Sequence, residues 1–201
     1  MSLNNSPVKQ KKILEEKEAI GMNTKIESEK IYLRSLELVD LDRIRKWHND
    51  PVLYETFSGP FRYVSSATDE EWLKNKVRYS MQEINLAICL AENSQHIGNI
   101  YLRDINWVAR HAELAIFIGE PDQRSKGYGQ AAVRLLKKHA FEDLGLLRLY
   151  LTVLVDNRGA IRMYEKCGFV VEGQLRRHAF KQGMFKDVLI MGTCIEESSE
   201  E

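Results

Sequence analysis

The sequence contains few cysteines and no long apolar run, and both absences narrow what the chain can be. Its three cysteines, Cys89, Cys167 and Cys194, are odd in number and widely spaced. This pattern excludes a disulfide framework and a CxxC metal site, so we expect a cytoplasmic protein with three buried thiols. No apolar run approaches the roughly 20 residues of a membrane span. The Lys/Glu-rich start also lacks the apolar core of a secretory signal.

The net charge of the chain is zero, because 29 Lys and Arg residues balance 29 Asp and Glu residues. A chain that binds nucleic acid or an anionic membrane usually carries a positive excess, so we expect neither partner. The apolar fraction of 44% is enough for a packed core. We expect a polar extension over residues 1–29, either disordered or helical, one folded domain over residues 30–196, and an acidic tail over residues 197–201.

Hydrophobic patterns and turn residues alternate along the domain in an order typical of a mixed α/β (α+β) fold. Asp40 is expected to cap the first of four helices, and Thr68 with Glu71 forms a capping box at the second. About seven strands are expected, beginning at residue 31 and continuing at 85–91, 97–105, 112–118, 147–155, 169–178 and 185–193. Hairpins followed by helical crossovers predict a mixed sheet with helices on both faces.

A glycine-containing segment follows a predicted strand and opens a helix, and it reads Gln123-Arg124-Ser125-Lys126-Gly127-Tyr128-Gly129. Unpaired N–H groups and the helix dipole favour an anion at a helix start, and glycines let a phosphate approach the backbone. The segment matches neither the P-loop nor the three-glycine dinucleotide fingerprint. By itself it predicts either a pyrophosphate site or only a turn before a structural helix.

Two motifs together resemble the GNAT superfamily of N-acetyltransferases. One is the Gln/Arg-x-x-Gly-x-Gly loop, and the other is the string DNRGAIRMYEKCGF at residues 156–169. The matching order spans residues 31 to 196. It is most similar to the branch of ribosomal-protein N-terminal acetyltransferases and bacterial spermidine acetyltransferases, which share Leu33-Arg34, Asn49-Asp50-Pro51 and Glu172-Gly173. The resemblance implies a mostly antiparallel, six- to seven-stranded sheet and an acetyl-CoA-dependent N-acetyltransferase without a metal.

The resemblance also implies where acetyl-CoA binds. Strands 112–118 and 147–155 are expected to splay apart, with the pantetheine arm in the gap between them. The pyrophosphate is expected on the loop from Gln123 to Gly129, bound mainly by backbone amides. The side chains of Arg124 and Lys126 either add positive charge or point to solvent. Asn157 either orients the cofactor or a water, or only caps its helix.

Acetyl transfer needs groups that move protons, because an alkyl amine is almost fully protonated at neutral pH. Tyr164 matches the family's tyrosine and is the candidate acid for the departing thiolate, although it could serve only as a core aromatic. Glu113 is the candidate base. The alternatives are that a chain of waters takes the proton instead, or that Glu113 only faces water at the edge of its strand. His111 and His178 are expected to be structural.

The acceptor pocket is expected to come from the first two helices, their loop at residues 52–68, and the turn around Gly183. Tyr54, Phe57 and Glu55 are the candidate contacts, although the aromatic residues could merely pack under the loop. The glutamate pair of spermidine acetyltransferases is missing here, so we rank a peptide N-terminus or a small-molecule amine above spermidine. A polyamine acceptor and a non-catalytic CoA-binding module remain the alternatives. The family resemblance adds the expectation of a homodimer.

Overall fold

The computed structural model describes residues 26–195, which form one sheet with helices on both faces. The strands are β1 (Ile26–Glu27), β2 (Ile31–Ser35), β3 (Ile84–Leu90), β4 (His96–Asn106), β5 (His111–Ile118), β6 (Arg148–Leu154), β7 (Val170–Lys181) and β8 (Met184–Cys194). Their order in the sheet is β1-β2-β3-β4-β5-β6-β8-β7. The α-helices are α1 (Leu41–His48), α2 (Pro51–Tyr54), α3 (Ser66–Lys76), α4 (Tyr128–Lys138) and α5 (Arg158–Glu165).

The sheet is larger by one strand than predicted, because the two residues of β1 pair antiparallel with β2. These two residues belong to the predicted polar extension. Residues 1–25 of that extension and the predicted acidic tail lie outside the described residues. All neighbouring strands are antiparallel except β5 and β6. The mixed, mostly antiparallel sheet therefore agrees with the fold class expected from the sequence.

A separate group of helices packs on each face of the sheet and buries its apolar residues. Val133 and Leu136 of α4 pack on one face together with Ile161 of α5. On the other face, Trp47 of α1 and Leu73 of α3 pack against the sheet. These side chains recur at helical spacing, so each helix presents one apolar stripe to the strands. The burial of both faces holds the helices at fixed positions around the middle of the sheet.

The central strands β5 and β6 pair at only three positions, from His111–Arg148 to Glu113–Tyr150. Beyond Glu113, β5 remains bonded to β4 as far as Ile118. Over the same stretch β6 remains bonded to β8 as far as Leu154. The two strands therefore open into a gap at the centre of the sheet, and the β5 edge that faces this gap has no strand partner.

The two predicted helix starts of the first half are confirmed only in part: Asp40 is the N-cap residue of α1 but makes no side-chain cap bond, and α3 begins one turn earlier than Thr68. Ser65, rather than Thr68, caps α3, and its Oγ accepts a hydrogen bond from the Thr68 N–H at 3.2 Å. Asp40 does not cap α1 with its side chain. Its carboxylate instead accepts two hydrogen bonds from the Arg34 guanidinium, at 2.8 and 2.7 Å. A bidentate ion pair is stronger than a single helix cap.

The later helix signals agree with the structure. Asn157 Oδ1 caps α5 by accepting from the Ala160 N–H at 3.1 Å. Gly145 and Gly168 end their helical segments with φ of 65° and 85°, a conformation that favours glycine. The prediction of three buried thiols is wrong for Cys194, which is exposed at the end of β8. Within residues 26–195, no helix is long and apolar enough to cross a membrane.

Candidate active site

A cavity of about 1050 Å³ opens at the gap between β5 and β6. One part of it, the donor end, is lined by β5, by α5 and by the loop that precedes α4. The other part, the acceptor lobe, is lined by α1, by α3 and by the segment from α2 to α3. Because the gap joins the two parts, one molecule bound along β5 and another bound among the helices would meet inside the cavity.

The donor end contains the predicted glycine loop in a form that suits an anion. Gly127 is the N-cap of α4 and has a φ of 86°, which glycine adopts without steric cost. No atom lies within 4 Å of the positions where a Cβ would stand on Gly127 or Gly129. Both glycines line the cavity. The backbone N–H groups at the start of α4 therefore face open space that a pyrophosphate fits.

The polar side chains of this loop make hydrogen bonds within the loop and to the end of β5. The Arg124 guanidinium donates to the carbonyl oxygens of Ile118 and Gly119, both at 3.0 Å. Lys126 Nζ donates to Gln123 Oε1 at 3.2 Å. The two cations are therefore engaged by the loop and by the end of β5. An anion at this site would be bound chiefly by backbone amides, as the resemblance implied.

The remaining members of the predicted loop set lie as follows. Ser125 lines the cavity with a φ of 61°. The side chain of Gln123 is buried beneath the loop. Tyr128 packs against the hydrophobic core at the first turn of α4. Asn157 lines the cavity as well as capping α5, and its Nδ2 donates to the Thr56 carbonyl oxygen at 3.4 Å. This bond joins the donor end to the segment after α2.

Tyr164 lies on α5 and lines the cavity, although it is only 7% exposed. Its ring contacts Phe169, with centroids 5.8 Å apart. No described residue hydrogen-bonds to its hydroxyl. Burial raises the pKa of the Tyr164 hydroxyl well above its ordinary value. The phenol therefore keeps its proton at neutral pH and has no protein acceptor competing for it.

Glu113 lies on β5 at the last residue pair before the strands separate, and it lines the cavity. Burial raises the pKa of its carboxyl above the ordinary value, while the positive charge of Arg103 opposes that shift. Arg103 pairs with Glu113 across the strands and stacks over the Tyr101 ring. A half-buried carboxylate with a raised pKa is a better proton acceptor than an exposed one.

Aromatic side chains dominate the acceptor lobe. The Tyr54 ring lies 5.0 Å from that of Phe57, which lies 5.7 Å from that of Phe117 on β5. Tyr54, Phe57 and Phe117 all line the cavity. Trp47 is fixed behind them, because its Nε1 donates to Glu120 Oε1 at 3.2 Å. Both predicted aromatic contacts thus line this lobe of the cavity.

The third predicted acceptor residue, Glu55, is not brought to the cavity. It is exposed, and its carboxylate accepts a hydrogen bond from Gln182 at 3.0 Å. The single turn of α2 buries Leu53, so a residue two positions later points away from the core. The turn around Gly183 does not line the cavity either. Instead, Lys181 beside it donates to the Tyr54 and Gly59 carbonyl oxygens and holds the segment after α2.

Sequence reasoning missed one pair of residues in the acceptor lobe, His48 and Asp69. His48 Nδ1 lies 2.6 Å from Asp69 Oδ1, and both residues line the cavity. The two residues lie on different helices, 21 positions apart, and no motif connects them. The only signal in the sequence that could have revealed this pair is a polar residue among the apolar positions of a helix. Within residues 26–195, no group of three or more potential metal ligands occurs.

The divided sheet, the glycine loop at a helix start and the buried tyrosine together define a transferase that uses an acyl-CoA. The chain belongs to the GNAT acetyltransferases, because the model of the acetyltransferase (GNAT) domain matches residues 30–170. The spermidine N(1)-acetyltransferase of Vibrio cholerae is 33% identical over 157 residues, which cover 78% of this chain and 88% of that protein. These matches confirm the predicted activity, acetyl-CoA-dependent N-acetyl transfer.

Solved structures confirm the fold. The crystal structure of spermidine N-acetyltransferase from Vibrio cholerae in complex with CoA and spermine has a TM-score of 0.74 and 31% identity. The match covers 82% of this chain and 95% of that chain. A dodecameric structure of the same kind of enzyme from Vibrio cholerae, in an intermediate state, has a TM-score of 0.70 and 31% identity, over 82% and 93% of the two chains.

Proposed function

We propose that this N-acetyltransferase acetylates a primary amine that carries a single positive charge, on a small molecule or at a peptide N-terminus. The observation that carries the proposal is the scarcity of acids in the cavity. Among the described residues, only two carboxylates line it, Asp69 and Glu113. Asp69 is already hydrogen-bonded to His48. A polyamine needs several carboxylates, one for each charged amine, whereas a single amine among aromatic rings does not.

The donor end supplies the binding groups for acetyl-CoA. In our proposal the backbone amides at Gly127, Tyr128 and Gly129 bind the pyrophosphate. The unpaired edge of β5, from Leu114 to Ile118, pairs with the pantetheine arm in the place that β6 has left. Gln123, Ser125, Arg124 and Lys126 keep the loop in the required shape.

Acetyl-CoA supplies the thioester that the amine attacks. Tyr164 Oη gives its proton to the departing thiolate. Its phenol is protonated at neutral pH, it lines the cavity, and no described residue hydrogen-bonds to its hydroxyl. Glu113 takes a proton from the attacking nitrogen, directly or through water. Asn157 keeps the start of α5, and with it Tyr164, in register with the cavity. Tyr54 and Phe57 hold the body of the acceptor.

Spermidine is the alternative acceptor, and the Vibrio cholerae relatives with that activity favour it. A polyamine chain would need further acids beyond the cavity, and Glu55 on the outer side of α2 is one candidate. The cleft of a homo-oligomer could supply others, and dodecameric relatives support an oligomer here. We propose a homo-oligomer in the cytoplasm, and sedimentation of the purified chain measures its size.

A competition assay tests the acceptor class. The full chain is given acetyl-CoA with spermidine, an aminoglycoside and a short peptide, and released CoA thiol is measured. The same peptide with a blocked α-amine is the control. We expect the short peptide, which has a single α-amine, to have the highest kcat/KM and the blocked peptide to be inert. A far higher kcat/KM for spermidine would refute the ranking, and binding of acetyl-CoA without turnover of any amine would indicate a non-catalytic CoA-binding module.

A further inference from the structure

His48 and Asp69 form a buried dyad at the wall of the acceptor lobe. His48 is the last residue of α1 and its side chain is 16% exposed, whereas Asp69 is in the first turn of α3 and is not exposed at all. The hydrogen bond between Nδ1 and Oδ1 is short, at 2.6 Å. The ring of Trp72 meets the imidazole edge-on, with centroids 4.8 Å apart. The imidazole is therefore held in one orientation from two sides.

The carboxylate of Asp69 has His48 as its one side-chain partner among the described residues. Its other oxygen, Oδ2, is buried and has no hydrogen-bond partner among the described residues. The N-terminus of α3 stabilises the negative charge of a residue in its first turn. Burial is the first cause that raises the pKa of the nearby Tyr54 hydroxyl, and the negative charge of Asp69 is the second. The charge of Asp69 therefore acts within the acceptor lobe. A buried carboxylate with one strong partner stabilises the imidazolium form of that partner.

The hydrogen bond also decides which nitrogen of the neutral imidazole is basic. When Nδ1–H donates to Asp69, the lone pair is on Nε2. Nε2 has no hydrogen bond to a described residue and is not among the buried atoms without a partner, so it is accessible, and His48 lines the cavity. The geometry is that of a general base and its orienting carboxylate, in the part of the cavity that receives the amine.

We propose that His48 Nε2 takes the first proton from the bound acceptor ammonium, and that Asp69 positions and stabilises the imidazolium that forms. This inference rests on the proposed amine acceptor. The step breaks one N–H bond of the ammonium and forms an N–H bond at Nε2, leaving a neutral amine with a free electron pair. As that pair attacks the thioester and the C–S bond breaks, Glu113 takes a second proton and Tyr164 gives one to sulfur. His48 and Glu113 release their protons to water, and one proton returns to Tyr164.

A substitution that keeps the hydrogen bond and removes the base tests the proposal. The amide nitrogen of Asn replaces Nδ1, so His48→Asn still donates to Asp69 but has no counterpart of Nε2. Without His48 to take the first proton, and with Glu113 taking the second, the enzyme can use only the acceptor that is already neutral in solution. At pH 7 that fraction is about one thousandth for an alkyl amine with a pKa near 10, and about one tenth for an α-amine with a pKa near 8.

We therefore expect His48→Asn to lower kcat/KM about 100-fold or more for an alkyl amine, and about tenfold or less for the matched amino-acid amide. Asp69→Asn should show the same dependence on the acceptor, since it removes the charge that stabilises the imidazolium. His139→Asn is the control. The His139 imidazole also hydrogen-bonds to an aspartate, Asp143, at 2.7 Å, but His139 lies outside the cavity. The kcat/KM of the His139→Asn variant should therefore stay unchanged for both acceptors.

Melting curves with acetyl-CoA show that each variant folds and keeps its donor end. An equal loss of kcat/KM for both acceptors, or no loss, would overturn the role of His48 and leave the dyad as packing. A wild-type enzyme that acetylates neither acceptor would instead refute the proposed amine class. If Asp69→Asn fails to fold, the acceptor dependence of His48→Asn still decides.

Discussion

Replacement of Gly129 by alanine should stabilise the free protein and yet weaken acetyl-CoA binding. Gly129 is the second residue of α4, its φ is not positive, and a Cβ on it meets no atom within 4 Å. Nothing in the protein therefore opposes the methyl group. The space that it would fill is the cavity, in the place proposed for the pyrophosphate.

The size of the stability change follows from helix propensity. Alanine is favoured over glycine within a helix by about 0.5–1 kcal/mol. In a domain of this size, 1 kcal/mol corresponds to roughly 2–4 °C in Tm, so Gly129→Ala should raise the Tm of the free protein by about 1–4 °C. Gly127→Ala is the opposite case. Its φ of 86° costs alanine about 1–2 kcal/mol, so this Tm should fall by a few degrees.

Thermal melting with and without acetyl-CoA measures both effects. A ligand at 100 times its Kd stabilises the folded state by about 2.7 kcal/mol. A tenfold weaker Kd removes about 1.4 kcal/mol of this, so the ligand-induced rise in Tm should shrink by about 3–6 °C. We expect both glycine variants to lose at least this much. Gly173→Ala is the control, because Gly173 lies in β7 away from the cavity and has equally open space.

Two results would refute this reasoning. If Gly129→Ala kept the full ligand-induced rise in Tm, the methyl group would not meet the ligand, and the pyrophosphate would lie elsewhere. If the Tm of free Gly129→Ala fell, the position of Gly129 within α4 would be wrong.

Three further predictions concern proton transfer and buried charge. Tyr164→Phe should lower kcat about 100-fold with little change in the KM for acetyl-CoA, and a wild-type kcat would reassign Tyr164 to packing. Glu113→Gln should slow turnover most at the low end of the pH range in which Glu113 is still ionised, and an unchanged pH–rate profile would indicate a water chain or another base. Because burial raises the pKa of Glu113, its ionisation destabilises the fold, so this variant should melt above wild type near pH 7, with the gap closing below about pH 4. Burial alone would raise the pKa of Asp40, but hydrogen bonds from Arg34 and His96 lower it far below the ordinary value. The stabilisation is therefore complete above pH 4 and is lost as the pH falls further. Asp40→Asn should cost about 1–3 kcal/mol at pH 7 and progressively less in acid, and a constant difference between pH 7 and pH 2 would contradict this.

Local signals were sufficient for most of the secondary structure. A strand needs alternating or continuous apolar residues, and a helix end needs a cap or a glycine, all within a few positions of each other. Asn157 and Gly168 bound α5 for this reason, and both glycines of the donor loop are found at the start of α4. The expected side-chain cap bond is missing where a stronger partner lies close by, as with Arg34 beside Asp40.

The acceptor lobe could be predicted only in part. Tyr54 and Phe57 line it as expected, because bulky aromatic residues near a cleft are buried wherever the chain lets them pack. Glu55, the adjacent acid, points outward, since the direction of a side chain on a one-turn helix depends on what that turn packs against. The exposure of Cys194 likewise depends on the end of a strand whose neighbours lie far away in sequence.

The sequence by itself determined the family, the class of fold and the donor loop, because these depend on residues close together along the chain. The glycines, the helix start and the tyrosine of α5 carry their meaning in short motifs. Only the tertiary structure decided what surrounds the acceptor. His48 meets Asp69 because α1 and α3 pack on the same face of the sheet, and the gap beside Glu113 exists because β6 stays paired with β8 while it diverges from β5. Such contacts are set by the burial of whole elements, which no local pattern records.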